Sequence, residues 1–123
     1  YEPSKLLPVR AAKIPKLFPW RYTDAPTSIW VDGSIEVRSP NFAKNLLEVA
    51  NPLAMYAHPD RDCLFDEANL TLHIGRYELE WPIINQQVEA YESHSKNSGL
   101  WASGIIARRH TDEVKVFSEA WSR

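Results

Sequence analysis

The sequence has little cysteine, little glycine and no long apolar run. Its single cysteine, Cys63, excludes an internal disulfide and a CxxC metal pair, and it fits a reducing compartment. No stretch approaches the roughly 18 consecutive apolar residues of a transmembrane helix. An excess of basic residues is also missing, since 14 Lys and Arg stand against 16 Asp and Glu. A nucleic-acid coat would be far more basic, so we expect neither a nucleic-acid partner nor a membrane span.

Proline and tryptophan, by contrast, are plentiful. Five of the nine prolines fall within residues 1–27, where they prevent a long helix. We expect an extended, mildly basic arm over residues 1–27, with one helical turn near Arg10–Lys16, and an α/β core over residues 28–123. The five tryptophans indicate either an aromatic core or the wall of a pocket. Because the 123 residues lack an initiator Met, we expect a single domain or an internal fragment of a longer one.

Hydrophobic periodicity predicts the order strand, helix, strand, helix, helix, strand, helix after the arm. Strands are predicted at Ser28–Asp32, Leu53–His58 and Leu100–Ala107, with a further short strand at Ile35–Arg38. Helices are predicted to begin at Ser39-Pro40-Asn41, at Asp60 or Asp62, after Trp81-Pro82 and near Lys115. This order indicates an α/β fold with a small mixed or mostly parallel sheet flanked by helices.

The turn Asp32-Gly33-Ser34 ends the first predicted strand. A carboxylate at a strand end, followed by a glycine that lets a ligand approach the backbone, can hold a divalent metal whose other ligands are waters and phosphate oxygens. Asp-Gly is also one of the commonest turn dipeptides. The tripeptide alone therefore leaves a metal site and a plain turn both open.

The segment His58–Cys63, with Asp66 and Glu67 one turn later, is dense in side chains that could bind a metal. Its spacing matches neither HxxxH nor CxxC, and carboxylates in the first turn of a helix complement the helix dipole in any case. We therefore favour helix capping and an ion pair of Arg61. A zinc site and a Cys63 nucleophile remain as alternatives.

The third apolar run, Leu100–Ala107, includes most of the glycine-bounded stretch Gly99–Gly104 and is followed by Arg108-Arg109-His110. Such a strand can line a sugar site, with Trp101 offering a flat face and the arginines offering charge for a phosphate or carboxylate. A buried strand with a solvated basic end is the alternative. Gln86, Gln87 and Tyr91 could read sugar hydroxyls or could simply lie on a helix surface.

Five stretches together resemble a known family. They are Arg10-x-x-Lys13-x-x-x-Leu17-Phe18-Pro19, Ser28-Ile29-Trp30-Val31-Asp32-Gly33-Ser34, His58-Pro59-x-Arg61-Asp62-Cys63-x-x-x-Glu67-Ala68, Gln87-x-x-x-Tyr91 and Gly99-Leu100-Trp101-x-x-Gly104-Ile105-Ile106-x-Arg108-x-His110. In this order they resemble a glycosyltransferase-like family best known from plant Golgi proteins of the mucilage-related and turgor-regulation-defect type, with bacterial and viral relatives. The similarity extends from Arg10 to about Trp121.

The resemblance implies a GT-A-like transferase that uses a nucleotide-sugar donor and a glycan or other acceptor. It also implies that Asp32 binds Mn²⁺ or Mg²⁺ on the donor diphosphate, with His110 as a second metal ligand. The donor-binding residues that it implies are Arg10, Lys13, Asp32, Gly33, Ser34, Trp101 and Arg108. The family signature to which we assign no role comprises His58, Arg61, Asp62, Cys63, Glu67 and Gln87.

Two features depart from the pattern of this family. Ser34 stands where the usual Asp-x-Asp pair has its second carboxylate. The nucleotide-binding strands that normally precede this region, and an acidic Arg-Asp-Gln-type segment after it, are not in the sequence. We therefore expect part of a glycosyltransferase, from the cytoplasm of a bacterial or viral relative rather than from the Golgi lumen. The alternatives are a non-catalytic sugar or nucleotide-sugar binding module and a metal-dependent hydrolase that uses His58, Asp60 and Asp62.

Overall fold

A computed structural model describes residues 11–91 and 99–122. The helices are α1 (Lys13–Leu17), α2 (Phe42–Val49), α3 (Leu64–Leu72), α4 (Trp81–Tyr91) and α5 (Asp112–Trp121). The strands are β1 (Thr27–Val31), β2 (Leu53–Ala57) and β3 (Trp101–Arg109), and short 3-10 helices cover Pro19–Arg21 and Gly75–Glu80. The order of strands and helices after the predicted arm is the one that periodicity predicts, so the α/β class is confirmed.

The three strands form one sheet in the spatial order β1-β3-β2. β1 is antiparallel to β3. Arg109 N donates to Pro52 O and His58 N donates to Leu100 O, which makes β2 antiparallel to β3 as well. β1 and β2 run in the same direction, as expected for strands joined by a helix, but β3 lies between them. The small sheet flanked by helices is confirmed, whereas its strand pairs are antiparallel, because the order along the chain does not tell which strand inserts between two others.

One face of the β1–β3 pair packs against α2. Leu46 and Ala50, one helical turn apart, form a buried cluster with Ala107 of β3. Ile29, Phe42, Leu47, Ala54 and Ile105 pack against this cluster. The side chain of Arg109 donates to the carbonyls of Ala50 and Leu47 and so satisfies groups at the end of α2.

The predicted strand at Ile35–Arg38 is wrong. Ile35 N donates to Asp32 O, which closes a turn instead of continuing an extended chain. Ile35 and Val37 are 37% and 46% exposed. Within the described residues no strand other than β3 pairs with β1, so the alternating pattern of this segment has no partner to hold it extended.

Two helix starts also differ from the sequence predictions. The residue before α3 is Cys63, so neither Asp60 nor Asp62 is its cap. α5 begins at Asp112, three residues before Lys115, because Thr111 caps it by accepting a hydrogen bond from Val114 N. Sequence periodicity locates a helix well and its first turn poorly, since the first turn is decided by hydrogen bonds.

The chain divides into two compact units. The first unit comprises residues up to Met55 and from Ser103 onward, and the second comprises Tyr56–Ala102. The first unit therefore holds α1, β1, α2 and α5, and the second holds α3 and α4, while β2 and β3 each contribute residues to both. None of the described helices combines the length and the apolar character needed to cross a membrane.

Candidate functional site

The face of the β1–β3 pair opposite to α2 carries polar side chains. Directly opposed residues of an antiparallel pair place their side chains on the same face. The register opposes Ser28 to Arg108 and Trp30 to Ile106, and Asp32 N continues the ladder by donating to Gly104 O at 2.8 Å. We define the polar face as Ser28, Trp30, Asp32, Gly104, Ile106 and Arg108. All six lie in the first unit.

Asp32, the residue after β1, accepts hydrogen bonds from two neighbours. Trp30 Nε1 donates to Asp32 Oδ1 at 2.5 Å. Lys16 Nζ, from α1, lies 3.1 Å from Oδ1 and 3.4 Å from Oδ2. The ammonium also lies 5.8 Å from the centroid of the Trp30 ring. Because the Lys16 side chain is 16% exposed and that of Asp32 39% exposed, this ion pair is partly shielded from water.

The contacts of Asp32 favour its charged form. Burial alone would raise the pKa of this carboxyl, but the hydrogen bond from Trp30 and the hydrogen bond and charge of Lys16 together hold the pKa of Asp32 below its ordinary value. Asp32 is therefore a carboxylate at neutral pH and a fixed anchor for the Lys16 ammonium.

The turn beside Asp32 is open on one side and crowded on the other. A Cβ atom placed on Gly33 would meet nothing within 4 Å, and Ser34 is exposed. A Cβ atom on Gly104 would lie 3.6 Å from Asp32 Oδ2 and 3.0 Å from Ile35 Cδ1. Glycine at position 104 thus leaves room for the Ile35 side chain, while a ligand can approach Asp32 from the Gly33 side.

Arg108 is the most deeply buried charged group of the polar face. It is 1% exposed, and burial lowers the pKa of its guanidinium to about 10, so it remains a cation at neutral pH. Nη1 donates to Leu17 O at 3.4 Å. Nε and Nη2 have no hydrogen-bond partner within the part of the chain that the structure describes. A buried cation with free donors is costly for stability, which is why such groups are candidates for binding an anion.

His110 follows β3 and contacts Ser28 and Trp20. Its Nε2 atom lies 2.9 Å from Ser28 Oγ, and its ring meets the Trp20 ring edge-on at 5.8 Å. Burial lowers the pKa of His110, a hydrogen bond with the Ala25 backbone opposes this, and the charges of Arg108 and Lys115 lower it further. His110 is therefore mostly neutral at pH 7.

The two residues named as metal ligands from the sequence lie at opposite ends of the β1–β3 pair. Asp32 lies beside Gly104, and His110 is six residues further along the chain. At about 3.3 Å per residue, this separates them by roughly 20 Å. One metal ion cannot contact both, and sequence spacing could not show this because it does not give the register of β1 against β3.

The donor set at Asp32 does not fit a directly bound divalent cation. The oxygens of its carboxylate already accept hydrogen bonds from Lys16 and Trp30. Repulsion of the ammonium would amount to about 4 kcal/mol per unit charge at 4 Å in an effective dielectric constant of about 20. Within residues 11–91 and 99–122, no three His, Cys, Asp or Glu side chains are placed to share an ion. A requirement for Mn²⁺ or Mg²⁺ stays a prediction.

The family signature of the second unit contains a compact charged cluster. The backbone N–H groups of Asp60 and Arg61 donate to His58 Nδ1, each at 3.2 Å. The guanidinium of Arg61 forms an ion pair with Glu67 and lies 3.1 Å from His58 Nε2. The predicted ion pair of Arg61 is thus present. Its contacts fold the loop before α3 and connect the loop to the helix.

The other residues named from the sequence occupy separate places. Cys63 is a buried free thiol, which does not suit a nucleophile that a substrate must reach. Asp62, Gln87 and Trp101 are exposed residues of the second unit, and Lys13 is exposed on α1. Arg10 lies outside the described residues.

Sequence reasoning missed Lys16, Ser28 and Trp20 as contributors to the site. A signal for Ser28 was present, because Ser28, Trp30 and Asp32 alternate with the apolar Ile29 and Val31. This alternation predicts one polar and one apolar face, and it assigns Ser28 to the same face as Asp32. No comparable signal connects Lys16 or Trp20 to the strand, because both reach it only through the fold.

The family model of the TOD1/MUCI70, glycosyltransferase-like domain matches residues 7–122. Because this match covers almost the whole chain, the chain belongs to the TOD1/MUCI70 glycosyltransferase-like family, and the resemblance seen in the sequence is confirmed. A general glycosyltransferase-type function accompanies this membership. No curated protein and no solved structure matches the chain.

Proposed function

We propose that the protein acts as a glycosyltransferase, which moves a sugar from a nucleotide-sugar to a glycan or other acceptor. The polar face would bind the nucleotide-sugar donor. Family membership supports the general type of reaction. The observation that supports this location is the Asp32 carboxylate, held by Lys16 and Trp30 next to the open Gly33–Ser34 turn.

Positively charged side chains beside the donor diphosphate would assist the transfer. The bond between the anomeric carbon of the sugar and the diphosphate oxygen breaks, and its electron pair stays on the nucleoside diphosphate. The acceptor oxygen forms the new bond to that carbon and releases its proton to solvent. Groups that meet the growing charge of the diphosphate stabilise the transition state more than the ground state. Lys13, Lys16 and Arg108 supply positive charge within the first unit, and Asp32 is the one acidic member of the polar face.

Thermal denaturation with a panel of nucleotide-sugars, each with and without Mn²⁺, tests the proposal. A bound donor at ten times its Kd should raise Tm by about 5 °C in a domain of this size. Asp32→Asn should remove most of this rise. Asp24→Asn is the matched control, because Asp24 is an exposed aspartate of the same unit outside the polar face. If no donor shifts Tm in the folded wild-type protein, the proposal is wrong.

A non-catalytic binding module is the second candidate. Ser34, which stands in place of a second carboxylate, favours it, since a binding module needs fewer charged groups than a catalyst. Donor binding without release of nucleoside diphosphate, in the presence of a glycan acceptor panel, would support this candidate. A hydrolase built on His58 has less support, because the Nδ1 atom of His58 already accepts hydrogen bonds from the loop backbone.

A further inference from the structure

We propose that the Lys16 ammonium, positioned by Asp32, takes the place of a divalent cation and binds the donor diphosphate directly. This inference depends on the proposed function, because it describes how the same site holds its donor. Lys16 would then be the residue that touches the diphosphate, and Asp32 would be a positioning residue that acts through Lys16.

The geometry of Lys16 suits this role. An ammonium group has three N–H donors, and the two oxygens of Asp32 engage at most two of them, so at least one remains for a ligand. Its side chain is only 16% exposed, so its charge is less screened than that of a lysine on the open surface. Contact with the Trp30 ring further limits where the ammonium can lie.

The position of Asp32 also agrees with this role. Trp30 Nε1 and Lys16 Nζ both point at its oxygens, so this carboxylate is arranged to hold a cationic side chain. Ser34 provides no second carboxylate for a metal ion. Lysine is a common phosphate ligand that acts as a point charge. An anchored lysine thus supplies at this turn the positive charge that a bound metal ion would otherwise supply.

A purely structural role for the pair leads to a different expectation. If Lys16 only attaches α1 to the sheet, its removal should lower Tm and leave the affinity for a diphosphate unchanged in the folded protein. If Lys16 binds the diphosphate, affinity should fall even in a variant whose Tm is normal. Affinity and stability therefore have to be measured on the same variants.

The experiment is isothermal titration calorimetry of the full chain with UDP, GDP, CDP and ADP, first in EDTA and then with excess Mn²⁺. We expect the best nucleoside diphosphate to bind with Kd values that agree within about threefold under the two conditions. Lys16→Met should weaken this binding at least tenfold, and Lys16→Arg should recover part of it because the charge is kept. Lys44→Met is the matched control, since Lys44 is an exposed lysine on α2 and should leave Kd unchanged. Circular dichroism confirms that each variant is folded.

The outcomes separate this inference from the function on which it depends. Binding that requires Mn²⁺, or that Lys16→Met and Lys16→Arg leave unchanged, overturns the role of Lys16 and leaves the donor site standing. Absence of binding by every diphosphate and nucleotide-sugar, with a folded protein, overturns the proposed function itself. If Lys16→Met does not fold, the Kd values of Lys16→Arg and Asp32→Asn test the proposal instead. Unchanged Kd values in both variants contradict it.

Discussion

At the scale of single residues, the alternation of side chains along β1 and β3 brings charged and polar groups to one face of the sheet. Ser28, Trp30 and Asp32 share a face because successive side chains of a strand point to opposite sides. Asp32 is held by Lys16, while Arg108, four residues beyond Gly104, has no carboxylate partner within 4 Å among the described residues. The polar face therefore has one carboxylate paired with a lysine of α1 and one cation, Arg108, without a carboxylate partner among the described residues.

The charge of Asp32 should make stability depend on pH in the acid range. Because the pKa of Asp32 is lower in the folded chain than the value of about 4 expected after unfolding, its contribution is present above pH 4 and is lost as pH falls through the folded pKa. We expect Asp32→Asn to lower the free energy of unfolding at pH 7 by less than about 1 kcal/mol, since the group is partly exposed. Urea denaturation at pH 7 and pH 2 measures this. An equal difference at both pH values would contradict the assignment.

The side chain of Trp30 offers a finer test of the same carboxylate. Trp30→Phe keeps an aromatic ring and removes the Nε1–H donor. The pKa of Asp32 should then move upward toward its ordinary value, because one hydrogen bond to the charged form is lost. Carbon-detected NMR titration of the Asp32 carboxyl measures the change. Trp121→Phe, an exposed tryptophan at the end of α5, is the control and should leave that pKa unaltered.

The buried guanidinium of Arg108 should limit stability. Arg108→Met replaces it with an apolar chain of similar length, so we expect the free energy of unfolding to stay equal or to rise by about 1 kcal/mol or more. Arg108→Ala leaves a cavity and should lower it by about 2 kcal/mol. Urea denaturation distinguishes the two variants. A large loss in Arg108→Met would mean that the free donors have partners, and the anion-binding interpretation of Arg108 would then fail.

At the scale of elements, α2 and β3 organise the first unit. α2 covers the apolar face through Leu46 and Ala50, and Arg109 of β3 satisfies carbonyls at the end of the helix. These contacts hold the strand whose other face bears Gly104 and Arg108. The site on one face therefore depends on the packing of the other.

Leu46 tests the contribution of α2. Leu46→Ala removes a side chain that is 6% exposed, and we expect a loss of about 2–5 kcal/mol in the free energy of unfolding. Val49→Ala, on the same helix, is the control, because Val49 is 68% exposed and its truncation should cost within about 0.5 kcal/mol. Equal losses in the two variants would show that α2 does not bury the face that the structure assigns to it.

At the scale of the molecule, the two units differ in how much they bury. Among the side chains of the second unit whose exposure the structure describes, Cys63 is the only buried one. The first unit contains the Leu46–Ala50–Ala107 cluster, Ile106 and Val114. Regions with few buried apolar contacts open locally at lower free energy. The second unit should therefore be the less protected part of the chain.

Hydrogen exchange followed by mass spectrometry tests this difference. Amides of α3 and α4 should exchange faster than those of α2 and of the centre of β3 at pH 7, because fewer buried side chains cover them. Leu46→Ala should speed exchange in α2 and β3. Protection of α3 and α4 equal to that of β3 in the wild-type chain would contradict the expected order of local stability.

Local patterns in the sequence specify the order of the elements and the family. Periodicity and proline positions act locally, so they could locate α2, α4 and the three strands, and the ordered motifs carried the resemblance that the family match confirms. The fold, and no local pattern, shows that β3 lies between β1 and β2, that Lys16 reaches Asp32 and that His110 lies far from Asp32. These facts depend on strand register and on contacts between residues distant in the chain, which local patterns do not encode.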